Sequence, residues 1–91
     1  MMTEKKKKRA RPYAKLRAAM TERDLTQIDI ARHLRRSMDY VNQRFRGEES
    51  FRLDEAYALL IWLGLSVREV YEYFPPDGYA EDAPALKVMR A

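Results

Sequence analysis

The stretch Thr26–Arg46 constrains the fold of this chain more than any other. Ile30, Ala31 and Leu34 share one face at helical spacing, and so do Val41 and Phe45 at i, i+4. Between the two sets lie Arg35, Arg36 and Ser37, too few residues for anything but a tight turn. Thr26 and Ser37 each stand where a helix needs a side-chain oxygen at its start, and Gly47 follows the second set where a helix end needs a positive φ. The spacing predicts a short helix, a three-residue turn and a second short helix. Two helices of this length cannot bury their apolar faces against each other alone, so the rest of the chain must supply the walls.

Those walls are readable on either side. Tyr13–Arg23 places Leu16, Ala19 and Met20 on an inner stripe with Lys15, Arg17 and Glu22 outward, and Asp24 tolerates the left-handed conformation of a helix stop. Leu53, Ala56, Tyr57, Leu60 and Gly64 predict a fourth helix over Leu53–Leu63 with that stripe inward. Ala58, Leu59 and Trp62 then lie on its other side, an apolar surface that either meets a neighbouring helix or forms a subunit interface. Ser66 and Glu69 have capping-box spacing before Val67, Val70, Tyr71 and Phe74, predicting a fifth helix stopped by Pro75–Pro76. The chain divides into a basic, disordered arm at 1–12, a helical domain at 13–74 and an irregular tail at 75–91 with a short helix at Pro84–Arg90. Ile28 belongs to no inward set, and His33 reads as a solvated surface residue.

Charge is distributed unevenly along the chain. Residues 1–47 hold 14 Lys/Arg against 5 Asp/Glu, a net +9, whereas residues 48–91 hold 4 against 9, a net −5. Many cations at one end favour a polyanion such as nucleic acid over an acidic small molecule. With no cysteine and one histidine there is no thiolate or multi-histidine metal site, and no cofactor is expected. No nucleophile–base pair, paired carboxylates or glycine-rich phosphate loop is visible, so an enzyme with a small-molecule substrate is disfavoured. The nearly apolar run Ala56–Leu65 is about half the length needed to cross a bilayer, and cytoplasmic residence, close to the nucleoid, is the expectation.

Turning Val41 and Phe45 inward puts Gln43 and Asp39 at the centre of the opposite face of their helix, flanked by Asn42 and Tyr40. With these residues in view, the sequence resembles the phage repressor and Cro-like (XRE) helix-turn-helix family. KLRAAMTERDLTQIDIARHL is similar to the family's first two helices, the run from Ser37 to Gly47 to its third helix, and FRLDEAYALLIWLGLSVREVYEYF to its fourth and fifth. The resemblance covers Tyr13–Phe74 and implies an all-α, five-helix lambda-repressor-like domain that binds double-stranded DNA as a homodimer, usually to regulate transcription, most often as a repressor. It implies base contacts from Met38, Asp39, Asn42 and Gln43, and phosphate contacts from Gln27, Arg44 and Arg46; Tyr40, which flanks the same face, is a further candidate for phosphate contact.

Two positions depart from the family pattern. Arg35–Arg36 stands where a glycine and an apolar residue are usual, at a cost of about 1 kcal/mol if Arg35 is left-handed, while adding two candidates for phosphate contact. Arg52 occupies the expected capping position of the fourth helix. The alternative function is a protein-interaction module, such as an antitoxin or a phage accessory protein, that uses the apolar side of the fourth helix.

Overall fold

The computed structural model describes residues 11–79. Among them the regular structure is all helical, with no strand: α1 (Ala14–Glu22), α2 (Gln27–Leu34), α3 (Met38–Phe45), α4 (Leu53–Leu63) and a single-turn α5 (Val70–Tyr73). Short 3-10 turns at Val67–Glu69 and Pro76–Gly78 bracket α5. Of the disordered arm expected at residues 1–12, all but the last two residues lie outside the described residues, as does the terminal helix expected at Pro84–Arg90.

The first four helices end in the same way. A residue at positive φ follows each one, namely Asp24 (57°), Arg35 (60°), Gly47 (81°) and Gly64 (78°). The next N–H then reaches back to a carbonyl of the last turn: Leu25 to Met20 at 2.9 Å, Arg36 to Ala31 at 3.0 Å, Glu48 to Gln43 at 3.0 Å and Leu65 to Leu60 at 2.8 Å. This satisfies carbonyls that a helix end would leave bare. Leu25 and Leu65 also return to pack against the core, which completes the motif. Arg35 is therefore left-handed, the condition under which its departure from glycine carries a cost. Arg35→Gly should stabilise the domain by about 1 kcal/mol, raising the melting temperature by roughly 4–8 °C in a calorimetric scan.

The helix starts are capped by different means. Ser37 accepts the Tyr40 N–H at 3.1 Å. At α2 the Asp29 carboxylate accepts the Thr26 N–H at 2.8 Å and the Thr26 hydroxyl at 3.1 Å, and these hydrogen bonds hold its carboxyl below the usual range. Arg52 has no side-chain acceptor, so Glu55 caps α4 by accepting the Arg52 N–H at 3.3 Å.

Leu16, Ile30, Val41, Phe45, Leu59 and Leu60 form the fully buried centre, drawn from α1 through α4. Beside it, Tyr13, Phe45, Phe51 and Phe74 pack edge to face or tilted, with ring centroids 5.1–6.3 Å apart. Arg17 of α1 and Arg23, just past its end, tie the helix ends together. Arg17 donates to Pro12 O (2.6 Å) and Phe45 O (2.7 Å), and Arg23 donates to Leu63 O (2.9 Å) and Ala19 O (2.8 Å). Arg17, expected to face outward, is instead partly buried, because the C-terminal carbonyl of α3 rewards a cation there.

Three further expectations are corrected. The inner stripe of α4 is Ala56, Leu59, Leu60 and Leu63, whereas Leu53 and Tyr57 are exposed. The fifth helix is not continuous: Ser66 accepts from Arg68 N, which tightens the start into a 3-10 turn and leaves Val67 and Tyr71 at the surface. Residues 75–79 belong to the folded body. The Tyr13 N–H donates to Gly78 O at 2.8 Å, and Gly78 lies so close to Pro12 that an added Cβ would sit 2.7 Å from the proline Cβ.

Candidate nucleic-acid interface

Ser37, Val41 and Phe45 determine which way α3 faces. Ser37 caps it, and Val41 and Phe45 are anchored in the core, so α3 can turn only its remaining face to solvent. Met38 and Asp39 are exposed, and Asn42 and Gln43 are half-buried. Among the described residues the side chains of Asp39 and Asn42 have no hydrogen-bond partner. Gln43 lends its carbonyl to Arg44 Nη1 at 3.3 Å and keeps its amide donors. Gln27 opens α2 and is also half-buried.

The cationic residues divide into two groups. Arg35 is exposed, and Arg46 is held by two hydrogen bonds to the Glu48 carboxylate, 2.8 and 3.1 Å, at the surface where a phosphate can replace it. Arg36, exposed, and Arg44, half-buried, both engage the Tyr40 ring. Their guanidinium carbons lie 4.4 and 3.6 Å from the centroid of the Tyr40 ring, each in a cation–π arrangement. Arg36 Nε pairs with Glu55 Oε2 at 3.3 Å, and the Tyr40 hydroxyl donates to the same oxygen at 2.7 Å. Burial and then the bond to Glu55 push the Tyr40 phenol above its usual pKa.

Tyr40 is thus corrected from a groove-facing residue to the centre of a stack that joins α3 to α4. Its hydroxyl is already engaged by a carboxylate. Arg36 replaces the apolar residue expected in the turn, its guanidinium plane covering the ring as an apolar side chain would. Arg44 is part-buried, with Nε unpartnered. Glu55 is the one buried charged side chain among the described residues, 7% exposed, and the sequence reading did not single it out. Its signal was the spacing from Arg52, since a glutamate three residues after a helix start commonly caps that start.

Family models, curated proteins and solved structures yield no match to the chain.

The three residues expected on the other side of α4 are placed differently from one another. Leu59 is fully buried and takes no part in a free surface. Ala58 is half-buried, and Trp62 is 37% exposed with its ring stacked on His33 at 4.3 Å. His33 is exposed but not merely solvated, because it covers one face of the indole. The open apolar residues of α4 are Leu53, Tyr57 and Ile61 at i, i+4, i+8, exposed by 59%, 39% and 67%. Among the described residues no helix is long and apolar enough to cross a membrane.

Proposed function

We propose that the protein is a sequence-specific double-stranded DNA-binding regulator of transcription with a lambda-repressor-like helix-turn-helix. In this reading α2 and α3 form the motif, α3 enters the major groove, and two copies read a two-fold related site. The observation that carries it is the outward row of α3. Met38, Asp39, Asn42 and Gln43 project from a helix that a three-residue turn joins to α2, with Arg35 and Arg46 at its two ends. Asn42 and Gln43 carry amides that pair in two-pronged fashion with an adenine edge, Asp39 accepts from a cytosine amino group, and Met38 suits a thymine methyl. Arg35, Arg46 and Gln27 are the phosphate contacts that fix register.

A second reading is favoured by the exposed apolar row Leu53, Tyr57 and Ile61, which suits a protein partner such as that of an antitoxin or a phage accessory protein. Selection from a pool of random duplexes separates the two. DNA reading predicts an enriched motif whose affinity falls steeply with salt. Recovery of an unenriched pool, with no salt-sensitive retention, would remove the first reading and leave the second.

A further inference from the structure

Glu55 is buried at the junction of α3 and α4 and serves three groups at once. Oε1 caps α4 through Arg52 N, and Oε2 takes both the Tyr40 hydroxyl and Arg36 Nε. Neither of the first two contacts requires a charge: a neutral glutamine can keep the cap by accepting Arg52 N–H at its one carbonyl oxygen, while its amide donates to the Tyr40 hydroxyl, which then accepts, and that same amide leaves Arg36 Nε without an acceptor. The negative charge is therefore surplus to those two contacts, and its distinct effect falls on Arg36. That side chain is 42% exposed and lines an open groove of about 410 Å³ together with Arg35 and Arg52, so solvent ions can reach it.

We infer that Glu55 is a specificity-determining residue that neutralises Arg36 and withholds it from the DNA backbone. The inference rests on the DNA-binding reading. A phosphate approaching Arg36 meets a carboxylate 3.3 Å from the guanidinium nitrogen, and at phosphate distance the pair presents almost no net charge. Backbone contacts strengthen binding to every sequence alike, whereas base contacts from α3 discriminate. Holding back one cation beside the reading helix lowers non-specific affinity and leaves base readout untouched. The ratio between the two rises.

Titration of the full chain with a random-sequence duplex over a range of salt concentrations tests this. Glu55→Gln frees Arg36, so the plot of log affinity against log salt should steepen by about 0.9, the increment for one added phosphate contact. Arg36→Gln in the native background should leave the slope unchanged, and Arg36→Gln combined with Glu55→Gln should return it to the native value. A purely structural Glu55 would alter stability but not this slope. An unchanged slope in a folded Glu55→Gln protein overturns the inference. So does a slope shallower by about 0.9 in Arg36→Gln, a result that does not depend on Glu55→Gln folding. If the native protein itself gives no salt-dependent binding, the DNA-binding reading has failed instead.

Discussion

Phe45→Ala is expected to unfold the domain at physiological temperature. Phe45 is 1% exposed, closes the last turn of α3, and meets Tyr13 and Phe51 edge to face at 6.1 and 5.4 Å. Truncating a buried phenylalanine costs about 3–5 kcal/mol, from lost transfer free energy and the cavity left behind. A small domain commonly has only about 5–15 kcal/mol in total, and one of this size lies toward the low end. The carbonyl of Phe45 is also the acceptor for Arg17, so loosening the end of α3 exposes that guanidinium's partner as well. Urea denaturation followed by circular dichroism should show the midpoint collapse. Phe45→Leu, which keeps most of the volume, should retain the fold.

The second large effect falls on recognition and not on stability. Asn42→Ala with Gln43→Ala should leave the melting temperature nearly unchanged, because among the described residues the Asn42 side chain makes no hydrogen bond and that of Gln43 bonds only the adjacent Arg44. Against the selected duplex the double variant should lose most of its sequence preference, since each two-pronged pair with a base is worth about 1–3 kcal/mol of discrimination. Binding to random DNA should persist, because the arginines that meet phosphates are intact. Competition between the selected and a scrambled duplex measures the ratio. Equal discrimination by native and variant proteins would place base reading elsewhere.

The helical framework was legible where one periodicity stood alone. Leu16, Ala19 and Met20 in α1, and Val41 and Phe45 in α3, were assigned inward from spacing and are buried. The stop at Asp24 was legible because few residue types tolerate its backbone conformation. In α4 the pattern failed because Ala56–Leu65 is nearly all apolar: a stripe through Leu53 and Tyr57 and one through Leu59 and Leu63 fit the sequence equally well. What decides between them is tertiary, with Glu55 drawn toward Tyr40 and Arg36 of the neighbouring elements. The continuous fifth helix failed for a local reason. Only eight residues separate Ser66 from Pro75, and the cap closes a tighter turn than a capping box requires.

At the candidate site, the placing of Asp39, Asn42 and Gln43 on the far side of α3 followed from the positions of Val41 and Phe45 alone, but the turn of Tyr40 toward Glu55 did not. Nor did the roles of the arginines. Arg17, Arg36 and Arg44 all read as solvent-facing cations, yet each has an inward partner in a carbonyl, a carboxylate or a ring. Long cationic side chains reach several angstroms from their own helix face, so helical phase predicts their roots and not their ends.

The most direct measurement is a nuclear magnetic resonance titration of isotope-labelled protein with a selected duplex, following side-chain amides and methyl groups together. Groove binding by α3 predicts the largest shifts at the amides of Asn42 and Gln43, with Gln27 and the methyl of Met38 also moving and the Leu53 and Ile61 methyls little affected. Shifts confined to Leu53, Ile61 and the Trp62 indole, with Asn42 and Gln43 unchanged, would contradict it.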